Sequence, residues 1–219
     1  VTGGLLPAYL AACALAVAAG AAPNPIAVRA GVLLDGTGGA PRRDAVVIVE
    51  GERIKEVGPG LAVPPGARFI DLSDSTVLPG FVDAHTHISA PLVGTPRWDE
   101  VRSRETFADT VLRGVFHARQ TLEAGYTTIR EVGARGFTDV SLRNAIRKGL
   151  VPGPRMQVAA HAVGITGGHC DESGFVPKLL GFEPGIEEGI ANGPDEIRSA
   201  IRYQVKYGPT SSRCAPPAG

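Results

Sequence analysis

Two patterns of apolar and polar positions divide the chain. From Ile26 onward the apolar residues fall in short runs, Ala27–Leu34, Ala45–Val49, Arg53–Gly58 and Ala67–Leu72. They are separated by turn-forming stretches such as Asp35-Gly36-Thr37-Gly38-Gly39 and Glu50-Gly51-Glu52. Short β-type runs with this punctuation predict a small all-β segment. Gly51 marks the clearest hairpin, because glycine takes a positive φ there without a steric penalty. A further run, Thr76–Leu78, resumes after Pro79-Gly80 as Phe81-Val82 and predicts a buried strand that ends among polar residues.

Beyond that strand the period changes. Phe107, Val111, Val115, Ala118 and Leu122 recur at three- and four-residue spacings, which is one face of an amphipathic helix. His117 falls off this stripe and is expected to be solvated. Gly125 stops the helix and Tyr126–Val132 reads as a second strand. A second helix is expected over Asp139–Lys148, a third strand over Arg155–Val163, and a last helix from Pro194 to Tyr207. Proline in its first turn and acids at the positive end of the dipole mark the start of that helix. Strands alternating with helices after an all-β stretch predict parallel βα units, hence an α/β chain. A fourth strand should follow, but Pro209–Gly219 has no strand character.

Composition narrows the field. Lysine and arginine total 22 and aspartate and glutamate total 22, so no long-range field draws the chain to nucleic acid or to an anionic membrane. Cys13, Cys170 and Cys214 lack metal-type spacing and imply no disulfide framework. Leu5–Ala19 is apolar and precedes the small-residue run Ala19-Gly20-Ala21, which predicts a leader over residues 1–21 and a periplasmic or secreted protein. Processing at Cys13 as a lipoprotein is the less favoured variant, because the apolar run continues past that cysteine. After removal of the leader no stable membrane span is expected.

The candidate chemistry lies in Pro79-Gly80-Phe81-Val82-Asp83-Ala84-His85-Thr86-His87. Alternate residues of a strand share a face, so His85 and His87 point the same way, and two neutral imidazoles suit zinc or a similar divalent ion. Taken alone, a His-x-His pair is better read as two histidines satisfied by backbone carbonyls. The whole nonapeptide, however, resembles the metal-binding signature of the amidohydrolase superfamily, in which it forms the first strand of a (β/α)₈ barrel. The resemblance implies His85 and His87 as metal ligands, with Asp83 holding a histidine or a nearby turn. Gly125–Gly133 is similar to the family's second strand, with Glu131 where aspartate is usual. From the residues alone, Arg130 and Glu131 are expected to pair with charged neighbours.

Gly153-Pro154-Arg155 followed by Thr166-Gly167-Gly168-His169 resembles the imidazolonepropionase-like branch, which includes dipeptidases that cleave Xaa-Pro or Xaa-Arg bonds. That likeness implies His169 in contact with substrate or intermediate; stabilising its own loop is the alternative. His161 is expected to be packed or to sit behind the site. Trp98 either contacts substrate or packs in its loop.

The expected fold class is therefore α/β: the N-terminal part of a (β/α)₈ metal-dependent hydrolase barrel, its first three βα units over residues 76–208, preceded by a small β-sandwich segment over residues 22–75. Such a barrel takes about 250 residues, so three units are expected to leave the last strand's edge and one helix layer's apolar faces uncovered, and to fold poorly or aggregate alone. In the neighbouring reading frame, codons for Pro209–Arg213 can encode a run similar to the family's fourth strand, with its metal-bridging lysine at Arg213. Residues 209–219 are accordingly expected to be an out-of-frame tail. The resemblance implies a hydrolase of carbon–nitrogen bonds acting on a dipeptide or small molecule with one or two divalent ions, zinc foremost, the second site being incomplete here. A cyclic-amide hydrolase and an inactive fragment are the alternatives, and an oligomer is compatible with all three.

Overall fold

The computed structural model describes residues 24–91, 96, 100, 104–171, 181 and 183–213. The expected leader, Trp98, Cys13 and Cys214 lie outside the described residues. Two compact units divide between Pro79 and Gly80.

The first unit is a four-stranded sheet of β1 (Ile26–Leu33), β2 (Arg42–Glu50), β3 (Arg53–Pro59) and β4 (Arg68–Val77), in the order β3-β2-β1-β4. β2 runs antiparallel to both β1 and β3, whereas β4 joins β1 in parallel. Strand alternation explains most of the burial, Leu33 being the exception to the parity of Val28 and Ala30. Ala30, Leu33, Ala45 and Val47 pack with Val28, Val49, Val57 and Val77 in one cluster, while Ala27, Val46 and Ile48 meet Leu61 and Ala67 in another. The hairpin at Gly51 forms as expected, with φ 59°. β4 extends to Val77, so Thr76 and Val77 close this sheet and do not open the histidine strand. The reason is the Pro79-Gly80 break, which ends one strand before the next begins.

The second unit carries a parallel sheet in the order β5-β6-β7, made of β5 (Phe81–Thr86), β6 (Tyr126–Glu131) and β7 (Arg155–Val158). Helix α1 (Phe107–Glu123) follows β5, α2 (Thr138–Arg147) follows β6, and a short 3₁₀ helix (Ile186–Glu188) and α3 (Pro194–Lys206) follow β7. A capping box holds the start of α1: the Asp109 amide donates to Thr106 Oγ1, and the Thr106 amide donates to Asp109 Oδ2 at 2.9 Å. Ile88, Ala118, Ile129, Val140, Leu142, Met156, Val158 and Ala160 form the core. Close approach is built in at Gly80, where an added Cβ would lie 2.2 Å from Thr127 Cγ2.

Three expectations change here. Phe81 and Val82 are 49% and 67% exposed, because β5 lies at an edge of an open three-stranded sheet. β7 stops at Val158, since Ala160 takes a left-handed φ of 57° that no strand continues through. His117 is not solvated; its Nδ1 lies 2.8 Å from the Ile88 carbonyl. Residues 210–213 form no strand, yet they run along the free side of β7. The Thr210 and Ser211 amides donate to the Val158 carbonyl, and the Val163 amide donates to the Arg213 carbonyl. Among the described residues the parallel sheet does not close into a barrel, and no helix is long and apolar enough to cross a membrane.

Candidate functional site

The carboxyl ends of β5 and β6 bring the candidate donors together. His85 is the penultimate residue of β5 and His87 lies just past its end, so the two imidazoles share a face, with ring centroids 5.7 Å apart. Asp83 fixes the backbone leading into His85 by accepting from the His85 amide at 3.0 Å, the local holding role expected of it.

His87 is held much more firmly. Its Nδ1 lies 2.9 Å from the Gly133 carbonyl, just beyond β6, and 3.5 Å from Glu131 Oε1. Both neighbours are acceptors, so Nδ1 carries the proton and donates it to the nearer Gly133 carbonyl, with the carboxylate alongside. The lone pair is then on Nε2, the nitrogen available to a cation. Gly133 permits this approach, because an added Cβ would crowd His87 Cε1 at 3.3 Å.

Glu131 is the residue that sequence reasoning underrated. It is fully buried, and Oε2 accepts from the Ile88 amide at 2.6 Å while Oε1 faces His87. It therefore braces the histidine and the residue after it, and the charged neighbour expected for it is His87 itself, 3.5 Å away. Burial pushes its pKa above the ordinary carboxylate value, and the neighbouring imidazole only partly offsets that. The hydrogen bond to Glu131 in turn raises the pKa of His87, against the effect of its own burial. Both directions have one meaning: the pair holds a proton more tightly than separated groups would. Arg130, also expected to pair with a charge, instead donates to the Ser212 carbonyl at 3.2 Å.

Arg213 enters from the segment beside β7. Its Nη1 is 3.3 Å from His87 Nε2, so a guanidinium occupies the coordinating side of the ring. This is the position at which the family resemblance implies a lysine. His169 stands exposed in the loop after Gly164 and makes no hydrogen bond or ring contact with the pair. His161 accepts from the Gly136 amide at 3.0 Å, has Nδ1 2.7 Å from the Glu187 carbonyl, and stacks near Phe137, which is a packed role.

The donor set fits a divalent ion as far as it goes. Two neutral imidazoles are good zinc donors, and rings bound to one ion at about 2.0–2.1 Å would have centroids roughly 5 Å apart, near the separation found. Among the described residues no group of three histidine, cysteine or acidic side chains could hold a metal. Two such donors fall short of the three protein ligands a catalytic zinc site takes.

Fold and donors define an α/β protein with its candidate site at the carboxyl ends of parallel strands, where open α/β sheets place their ligands. Comparison with known proteins agrees. The amidohydrolase family profile matches residues 76–216. A dihydroorotase of Mycobacterium leprae is 28% identical over 184 residues, covering 76% of this chain and 42% of the relative. An imidazolonepropionase of Cutibacterium acnes is 30% identical over 175 residues, covering 75% and 42%. Among solved structures, a Xaa-Pro dipeptidase with methionine bound in its active site superposes with a TM-score of 0.77 at 29% identity, covering 87% of this chain and 47% of that one. A prolidase complexed with N-methylphosphonate-L-proline gives 0.72 at 27% identity, covering 87% and 46%. The chain belongs to the amidohydrolase family. It spans under half the length of the relatives and structures it matches.

Proposed function

We propose that the chain carries the first three βα units of a (β/α)₈ metal-dependent hydrolase of carbon–nitrogen bonds, with His85 and His87 as ligands to a divalent ion, zinc by donor type. The observation that supports it most is the state of His87: Nδ1 is tied to Gly133 beside Glu131, which leaves the lone pair on Nε2, and a second imidazole lies with its centroid 5.7 Å away. A bound divalent ion supplies Lewis acidity toward the scissile carbonyl and lowers the pKa of a bound water. The chain's own part is to orient. Glu131 fixes the ring, His117 and Glu131 hold Ile88 from opposite sides, and His169 is assigned to substrate contact from its exposed loop.

The substrate class proposed is a dipeptide of Xaa-Pro or Xaa-Arg type, in a polypeptide of the relatives' length, with export proposed from the Leu5–Ala21 pattern alone. Structural similarity to a Xaa-Pro dipeptidase and a prolidase supports this reading. Cyclic-amide hydrolysis is the second reading, favoured by the similarity to imidazolonepropionase and dihydroorotase. With two histidine donors among the described residues, the chain by itself is proposed to be inactive, because a catalytic zinc site takes three protein ligands. Zinc and manganese are to be measured by elemental analysis in the chain and in the doubly substituted His85→Ala, His87→Ala form. Loss of metal is expected; an unchanged content would sink the ligand assignment. Turnover of Xaa-Pro and Xaa-Arg dipeptides against small lactams separates the two substrate classes.

A further inference from the structure

We propose that Arg213 competes with divalent cations for the histidine pair, its guanidinium occupying the nitrogen a metal ion would take. This rests on the reading of His85 and His87 as cation ligands. The geometry is specific. Nδ1 of His87 faces two acceptors, so Nε2 presents a lone pair, and the group facing that lone pair is Arg213 Nη1 at 3.3 Å. A guanidinium has donors and no acceptor, so it satisfies a lone pair that a cation could otherwise use, and it cannot itself become a ligand.

The segment that delivers it is anchored by other atoms. The Arg213 carbonyl accepts from the Val163 amide, the Ser212 carbonyl accepts from Arg130, and Thr210 Oγ1 accepts from the Val158 amide. The side chain can therefore swing away, or be removed, without releasing the backbone from β7. A divalent ion at Nε2 must first displace the guanidinium and then sit beside its charge, and both steps weaken binding. Repulsion between a divalent and a univalent charge a few ångströms apart, largely screened by water, is enough to weaken binding by about tenfold or more.

The test is titration of the whole chain with cobalt(II) chloride, read by the visible absorption of the bound ion, for the native sequence, Arg213→Gln, His87→Ala and the double variant. Arg213→Gln is expected to bind at least about tenfold more tightly than the native chain, with the gain absent in the His87→Ala background. Equal affinity of the native chain and Arg213→Gln, with binding lost in His87→Ala, would overturn the competition while leaving the histidine ligands standing. No binding by either would remove both. Should Arg213→Gln lose its native circular dichroism, nitrogen-15 spectra of the native chain with added zinc decide the matter. Arg213 guanidinium signals should change in step with those of His87 Nε2, and signals that stay fixed while His87 is saturated would refute the competition.

Discussion

Glu131 offers the sharpest test of how the histidine is held. In Glu131→Ala the buried Ile88 amide loses the acceptor that stands 2.6 Å away. An orphaned buried donor costs about 1–3 kcal/mol. The space left by the carboxyethyl group adds to that, while removal of a desolvated carboxyl subtracts. A net loss of about 2–3 kcal/mol corresponds, for a chain of this size, to a fall in Tm of roughly 5–10 °C. Glu131→Gln separates bracing from charge. Its amide oxygen can still accept from Ile88, which places the amide NH₂ where Oε1 now faces His87 Nδ1. Two donors then meet, the charge is gone, and the force that raises the His87 pKa disappears. The prediction is a stability loss of only about 1 kcal/mol for the glutamine variant, together with a downward shift of the His87 titration midpoint. Long-range proton–nitrogen-15 spectra recorded across pH measure that midpoint directly. A His87 midpoint unmoved in folded Glu131→Gln would refute the account.

Further expectations follow from the same contacts. His87 and Glu131 both have raised pKa values, so the folded state retains protons that the unfolded chain releases as pH climbs past the ordinary values of 4.5 for the acid and 6.5 for the imidazole. The His87 contribution is complete below 6.5 and is lost as pH rises through its folded pKa, and the Glu131 penalty grows as pH rises above 4.5. The urea midpoint of the native chain should thus fall relative to Glu131→Gln between about pH 5 and 8, and a relative rise would contradict it. Thr106→Ala removes the cap of α1 and should cost about 1 kcal/mol by chemical denaturation, with an undiminished midpoint arguing against the capping box. Gly80→Ala places a methyl group within 2.2 Å of Thr127 Cγ2, and the overpacking should destabilise by about 1–3 kcal/mol, a wild-type Tm being the contrary result.

The strands and helices were legible where period and punctuation coincided. Gly51 gave the hairpin and Pro194 the start of α3, because both residues act through local backbone preference. What sequence could not show was which face of an apolar run finds a neighbour. Phe81 and Val82 read as core, yet nothing on the page of residues reveals that β5 is an edge. Ala159–Val163 read as strand, and the left-handed turn at Ala160 has no marker of its own. His117 flanks the apolar stripe of α1 closely enough to reach a carbonyl on another element, which a view of one helix omits. Glu131 did leave a signal. It shares strand parity with Ile129, which is 1% exposed, so a carboxylate on that face had to be buried and had to have partners. That the two histidines share a face was legible because their spacing matches the strand period, while singling them out took the whole nonapeptide. Its contact with Arg213 was not, because 126 positions separate the two residues.

The unequal restraint of the two imidazoles has an entropic meaning. His87 is clamped on one ring nitrogen by a carbonyl and a buried carboxylate, so its rotamer freedom was surrendered when the chain folded. His85 is exposed; Asp83 holds its backbone amide, and among the described residues its ring has an edge contact with His87 alone. An incoming partner therefore meets one fixed arm and one free arm. Engagement of the fixed arm involves little further loss of entropy, whereas closure of the free arm must still stop a rotating side chain. For a ligand that takes both rings, His85 would be the arm whose ordering costs entropy, and restricting its side-chain rotamers would tighten the grip without adding a single new contact.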